Sequence, residues 1–205
     1  MTAGPLIAVL DYGIGNLRSA QKALQHVGAD AVLTDDPKLV ADAAAVVLPG
    51  VGAFGRCMEA LERCGLDTVA RDAVASGRPF LGICIGMQLL YDESEENPGR
   101  RGVGILPGVV RRLPDGVKHP QMQWNTLDVV RPSKVLDGLP DPAWVYFVHS
   151  FAPFDTAHAV ATCDYGGPIV AAVERGNVAA TQFHPEKSGE VGLAMLRGFV
   201  ARCAA

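Results

Sequence analysis

Pro79-Phe80-Leu81-Gly82-Ile83-Cys84-Ile85-Gly86-Met87-Gln88-Leu89-Leu90-Tyr91 is the stretch on which the fold turns. Its first five residues are a short apolar run and read as a buried strand. Ile85 to Tyr91 reads as a helix, so the chain has to pass abruptly from strand to helix at Cys84. A glycine two places to either side lets the backbone make such a tight, strained turn. The turn lifts the Cys84 side chain above the sheet and sets it at a helix N-terminus, where the dipole and free N–H groups favour a thiolate. The same pentapeptide equally fits a buried cysteine between two glycines that ease helix–strand packing.

Upstream, Leu6–Leu10 is another branched apolar run, ending at Asp11-Tyr12-Gly13. Leu17, Ala20, Leu24 and Val27 then recur at helical spacing, with Asn16 suited to the N-cap and Gly28 to the C-terminal stop. Strands are predicted over 31–34 and 45–48, the latter stopped by Pro49-Gly50, and helices over 58–64 and 67–76. This strand–helix rhythm argues for a parallel sheet covered on both faces. Beyond residue 100 the character changes. Strands are predicted over 102–112, 122–131, 144–150, 158–163, 169–174 and 178–182, with Arg111-Arg112 and Asp115-Gly116 marking an exposed hairpin edge. A last helix carries Val191, Met195 and Phe199 on one face. The expected organisation is one α/β domain over residues 1–205, β-rich in its second half.

Composition narrows the function classes. The 205 residues are 49% hydrophobic and 20% charged, ordinary for a globular chain with its own core. Eighteen basic residues against 22 acidic ones give a net charge of −4, which leaves no basic excess for nucleic acid. No apolar run approaches the ~20 residues of a membrane span. The five cysteines form no CxxC pair and no zinc spacing, so no metal or cofactor site is expected. The N-terminus has neither the basic start nor the apolar stretch of a secretory signal. Free thiols in a reducing cytoplasm are the expectation, with Cys57, Cys64, Cys163 and Cys203 serving as packing residues.

A thiolate nucleophile needs a proton carrier and a group to orient it. His26 lies late in an amphipathic helix, and His119 and His158 fall in turn-like surroundings. His149 ends a strand and can face a site. His184 follows the apolar strand 178–182 and precedes Pro185-Glu186, and the loop past the carboxyl end of a parallel strand is where such sheets bind ligands. In extended backbone His184 and Glu186 project to one side, so Glu186 can fix the His184 tautomer and leave the other nitrogen for Cys84. Alone, His-x-Glu also describes an exposed loop with a chance carboxylate. Pro49-Gly50-Val51-Gly52 closes the third strand, and its backbone N–H groups suit an oxyanion; it also fits an ordinary strand-ending turn. Gly13-Ile14-Gly15-Asn16 lacks the full dinucleotide fingerprint, since Arg18 holds its last position.

Taken together these residues resemble the class I (triad) glutamine amidotransferases. The motifs are Gly-Ile-Cys-Ile-Gly-Met-Gln around Cys84, Gln-Phe-His-Pro-Glu-Lys-Ser around His184 and Glu186, and Pro-Gly-Val-Gly. Asp11–Asn16, Pro49–Gly55, Met87–Leu90, Glu93–Glu96 and Tyr146–Ser150 carry the resemblance further, to the glutaminase subunits of imidazole glycerol phosphate synthase. It spans essentially the whole chain. It implies a flavodoxin-like, three-layer fold with a mostly parallel central sheet and added antiparallel strands. It also implies a Cys84–His184–Glu186 triad and an oxyanion hole of backbone N–H groups at Val51, Gly52 and Ile85. Glutamine-binding roles fall on Gly52, Gln88, Glu96, His149 and Ser150. Asn16, Trp124, Asn125, Tyr146 and Lys187 are implied to face a separate (β/α)8-barrel cyclase subunit that receives the ammonia. For Trp124 and Tyr146 plain packing is the alternative, and for Lys187 a solvated charge. Two positions depart from the family pattern, Gln123 where glycine is usual and Phe151 where tyrosine is frequent. Competing readings are a glutaminase serving another pathway, a γ-glutamyl hydrolase or cysteine peptidase, and a non-catalytic regulatory subunit.

Overall fold

The computed structural model describes residues 4–154 and 157–204. Its first half runs β1 (Leu6–Leu10), α1 (Leu17–His26), β2 (Asp30–Thr34), α2 (Pro37–Asp42), β3 (Ala45–Gly50), α3 (Phe54–Arg63), α4 (Leu66–Ala75), β4 (Phe80–Cys84) and α5 (Ile85–Leu89). The second half runs β5 (Tyr91–Ser94), β6 (Leu106–Arg112), β7 (Gln121–Val129), β8 (Ala143–His149), β9 (Phe151–Ala152), β10 (Ala159–Asp164), β11 (Pro168–Arg175), β12 (Val178–Thr181), a 3₁₀ turn at Pro185–Lys187 and α6 (Gly189–Ala201).

The alternating half forms the parallel sheet expected of it. A nine-stranded sheet has the order β2-β1-β3-β4-β12-β11-β10-β7-β8, parallel from β2 through β12 and antiparallel from β11 outward. All residues of β3 and β4 are buried, as strands covered on both faces require. β5, β6 and β9 form a separate three-stranded sheet. One cluster of buried apolar side chains extends through both sheets and their helices.

The structure corrects several local expectations. α2 was not anticipated: it is six residues long, started by Pro37 and by the Asp36 carboxylate accepting from the Lys38 N–H. The helix after Cys84 stops at Leu89, and Tyr91 already opens β5. The strand predicted from Gly102 begins only at Leu106. Arg111 and Arg112 are exposed but belong to no hairpin across Asp115-Gly116. They pair with Ala152 and Phe151 in the small sheet, whereas β7 joins the large one. Gly28 stops α1 with a positive φ of 97°. Asn16 stands at the N-cap of α1 without capping it through its side chain.

Candidate active site

The register of three parallel strands assembles the site. Gly50, the last residue of β3, lies opposite Cys84, the last of β4, and Thr181, the last of β12, lies opposite Ile83. The Pro49–Gly52 loop and the His184 loop therefore leave the sheet on either side of Cys84, at the carboxyl edge where open α/β sheets bind ligands.

Cys84 has φ 54° and ψ −111°; it is the one non-glycine residue with positive φ among the described residues. Such backbone is costly for an L side chain and persists only when the surroundings impose it. They do so here through the two glycines. A Cβ on Gly86 would lie 1.8 Å from the Leu48 carbonyl oxygen, and one on Gly82 would lie 3.0 Å from the Gly86 carbonyl oxygen. α5 packs directly against β3 and β4, so the chain has no room to relax the turn.

His184 Nδ1 lies 2.8 Å from Glu186 Oε1, and both side chains are buried. The carboxylate accepts from Nδ1–H, which leaves Nε2 as the working nitrogen. Nε2 has no aligned hydrogen bond to the described residues. Burial pulls the His184 pKa down, but hydrogen bonding and charge from Cys84 and Glu186 outweigh it and raise the imidazole to about 10. Glu186 Oε1 also accepts from Asn16 Nδ2 at 3.2 Å; this bond is where the side chain expected to cap α1 goes.

One cavity of about 530 Å³ is lined by Cys84, His184, Val51, Gly52, Ile85, Gln88, Glu96, His149, Ser150, Asn16 and Lys187, together with Gly15, Pro120, Val148 and Phe151. Every residue expected to be a nucleophile, oxyanion donor or glutamine contact is thus on one wall or another of the same pocket, with Glu186 behind His184. Gln88 Nε2 is used within the protein, donating to the Phe151 carbonyl at 2.8 Å and to Gln182 Oε1 at 3.1 Å, while its own Oε1 has no partner among the described residues. Glu96 Oε2 accepts from the Phe54 N–H at 2.8 Å and so also caps α3. His149 Nδ1 lies 3.0 Å from the Phe151 carbonyl. Burial, opposed by that hydrogen bond and helped by the His184 charge, lowers its pKa to about 4, so His149 is neutral, with an Nε2 that has no partner among the described residues.

Trp124, Asn125 and Tyr146 do not line the pocket. They sit on the paired edge strands β7 and β8, Trp124 opposite Tyr146, with the two rings 6.1 Å apart and edge to face. Trp124 is 48% exposed, and Met122 and Trp144 are exposed beside it. Asn125 donates to the Asp164 carbonyl. Gln123 is exposed on the same strand.

Three contributors were missed in the sequence reading. Gln182 Nε2 approaches Cys84 Sγ at 3.8 Å; it lies two residues before His184 in the quoted motif, so strand alternation was its signal. Ser188 Oγ donates to the His184 carbonyl at 2.6 Å and accepts from the Tyr146 N–H. Cys57, read as packing, donates its thiol to the Val51 carbonyl at 3.4 Å; no local pattern foretells that contact.

The sequence family described as Glutamine amidotransferase class-I matches residues 8–203. The chain belongs to the class-I glutamine amidotransferase family. The imidazole glycerol phosphate synthase subunit HisH of Methanothermobacter thermautotrophicus is 50% identical over 95% of this chain and 98% of its own length. That of Symbiobacterium thermophilum is 50% identical over 93% and 91%. Among solved structures, a glutamine amidotransferase has a TM-score of 0.77 at 22% identity, covering 97% of this chain and 99% of its own. PurLQS from Thermotoga maritima has 0.77 at 21%, covering 97% and 98%. These two likenesses show the fold, a three-layer α/β domain with a mostly parallel sheet extended by antiparallel strands. Among the described residues no cluster of three His, Cys, Asp or Glu side chains is placed to hold a metal ion, and no helix is long and apolar enough to cross a membrane.

Proposed function

We propose that this chain is the glutaminase subunit of imidazole glycerol phosphate synthase. It hydrolyses L-glutamine to L-glutamate and passes the ammonia to a (β/α)8-barrel cyclase subunit. The cyclase makes imidazole glycerol phosphate and aminoimidazole carboxamide ribotide, a step of histidine biosynthesis. The single observation that carries this reading is the buried His184–Glu186 pair, 2.8 Å apart, whose remaining imidazole nitrogen serves the strained Cys84 at the same pocket.

Chemically the reaction is acyl transfer. His184 takes the Cys84 proton, and the sulfur attacks the carboxamide carbon of glutamine. N–H groups of the Val51–Gly52 loop and of Ile85 hold the oxyanion that forms. The His184 imidazolium then gives its proton to the leaving ammonia, and water resolves the glutamyl thioester. Glu186 orients the ring throughout. The Glu96 carboxylate and Gln88 Oε1 suit the ammonium of the amino acid, and the Ser150 hydroxyl suits its carboxylate. The neutral His149 Nε2 accepts an N–H. Asn16 and Lys187 at the pocket, with Trp124, Asn125 and Tyr146 outside it, face the cyclase. Exposed apolar rings on an edge strand pair support such a surface, because they expose area that water disfavours. A core shared by both sheets supports reading residues 1–205 as one functional unit, and five free cysteines support a reducing cytoplasm as its compartment.

Glutamate release by the purified chain, with and without the barrel cyclase and its nucleotide ligand, tests the reading. The expected result is low activity alone, a large rise in the complex, and loss of at least about a thousandfold in Cys84→Ala. Full activity that ignores the cyclase would redirect the assignment to another partner or a plain hydrolase.

A further inference from the structure

The loop Pro49–Gly52 is held from behind at two of its carbonyls. Tyr12 Oη donates to the Pro49 carbonyl at 2.8 Å, and Cys57 Sγ donates to the Val51 carbonyl at 3.4 Å. Between them Gly50 is wedged. A Cβ there would lie 2.7 Å from the Tyr12 hydroxyl, 3.0 Å from the Gly86 nitrogen and 3.0 Å from the Ile85 Cβ. The loop is thus set directly against the first residues of the nucleophile's helix. Neither Tyr12 nor Cys57 lines the pocket, and both are buried, so neither reaches a substrate.

Peptide planarity turns these two bonds into aim. In a trans peptide the N–H points opposite to the carbonyl before it. With the Val51 carbonyl held by Cys57, the Gly52 N–H points away from Cys57, toward the side of the loop that lines the pocket. With the Pro49 carbonyl held by Tyr12 as well, the peptides on both sides of Gly50–Val51 are held, which fixes the two ends about which that peptide can turn. We infer that Tyr12 and Cys57 are positioning residues for transition-state stabilisation, aiming the Gly52 N–H and holding the peptides on either side of the one that carries the Val51 N–H. The inference rests on the reading of this loop as the oxyanion donor. Burial pushes the Cys57 thiol up to about 11 and pushes the Tyr12 phenol higher still, so both keep their protons across the physiological range and remain donors.

An oxyanion contact is made only in the transition state, so disturbing its aim acts on kcat rather than on KM. Glutamate release is measured for the chain saturated with its cyclase, alongside a melting curve for each variant. Tyr12→Phe and Cys57→Ala are each expected to lower kcat about tenfold while KM for glutamine stays within about twofold. The double variant should lose less than the product of the two, since both act on one loop. Cys57→Ser restores a donor and is expected to stay within about threefold of the parent kcat. A packing role gives the opposite order, because alanine is the milder change in a buried apolar site and serine leaves a hydroxyl there.

Gly52→Ala separates this inference from the reading beneath it. Gly52 has φ 102° with nothing within 4 Å of a Cβ, so alanine disturbs the loop backbone without a clash. Loss of kcat in Gly52→Ala with unchanged kcat in Tyr12→Phe and Cys57→Ala overturns the positioning role and leaves the oxyanion loop standing. Unchanged kcat in Gly52→Ala as well, with Cys84→Ala inactive, removes the loop from the oxyanion hole and the inference with it. Should Cys57→Ala fail to fold, Tyr12→Phe decides, since it deletes one oxygen and keeps the ring.

Discussion

The interior of the large sheet and its β7–β8 edge are built on opposite principles. In β3 and β4 every residue is buried, and the strands end in glycine-bearing turns in close contact with α5. In β7 and β8, at the far edge, exposed residues alternate or run together, and Met122, Trp124 and Trp144 present apolar surface to water. The first arrangement suits a nucleophile that must be held in costly geometry, and the second suits recognition of another protein. Tyr146 joins them mechanically. The Tyr146 carbonyl accepts from the His184 N–H at 3.0 Å, and the Tyr146 N–H donates to Ser188 Oγ, which in turn donates to the His184 carbonyl. A strand that carries the exposed rings therefore also fixes the backbone of His184. The difference teaches that the buried pocket and the exposed apolar edge occupy separate strands and meet through hydrogen bonds at Tyr146, His184 and Ser188.

The largest expected effect breaks the catalytic side alone. Glu186→Gln removes a carboxylate that favours the charged imidazole, and is expected to lower kcat about a thousandfold. The sign of its pH effect follows from the cause. Glu186 is one of the groups that raise the His184 pKa, so its loss lowers that pKa. The proton that His184 gives to ammonia is then lost at a lower pH, and the alkaline limb of the kcat profile moves down. An alkaline limb that stays in place would show that Glu186 does not hold the imidazolium.

Next in size is a stability effect on the wall between the two regions. His149 ends β8 and closes the pocket, with its pKa lowered to about 4 by burial, against about 6.5 in an unfolded chain. Between these values the unfolded chain binds a proton that the folded chain refuses. Stability therefore falls as the pH drops from about 6.5 to about 4, by on the order of 3 kcal/mol. His149→Gln has nothing to titrate there, and denaturant unfolding at the two ends of that window should show its dependence flattened. Smaller still is the effect at the recognition edge. Trp124→Ala is expected to weaken binding of the cyclase about tenfold, read by titration of one subunit into the other. Unaltered affinity would move the partner surface off β7 and β8.

Legibility in the sequence follows the same division. The buried parallel strands declare themselves as apolar runs stopped by glycine, whereas the Gly82–Gly86 pattern and the His-Pro-Glu spacing each fit a plain structural alternative and point to a nucleophile and its pair only in combination. β5 is silent because Asp92 and Glu93 give it no apolar alternation, and β9 is only two residues long. The hairpin expected at Asp115-Gly116 failed because turn chemistry says nothing of which sheet each flanking strand joins. Asn16 has the right type and position for an N-cap, yet its amide finds Glu186, a partner 170 residues away. Tyr12 reaching the Pro49 carbonyl is the same kind of contact: it exists only once β1 and β3 are side by side.

The smallest expected effect tests whether the rigid region stores strain. At an ordinary buried position, alanine is more stable than glycine, since glycine loses more backbone freedom on folding and contributes no methyl group. Cys84 sits at φ 54° and ψ −111°, where the order should reverse, because any Cβ is strained there. Cys84→Gly should therefore be more stable than Cys84→Ala by about 1 kcal/mol, although both lack the nucleophile and both are inactive. Comparing the two variants with each other cancels the loss of the thiol and its packing, which a comparison with the parent would not. Equal stabilities, or alanine above glycine, would mean that the turn is unstrained and that the glycines at 82 and 86 serve close packing alone. A reversal would show that the fold holds its nucleophile at a cost in stability, a cost that the exposed edge strands β7 and β8, with no described non-glycine residue at positive φ, do not bear.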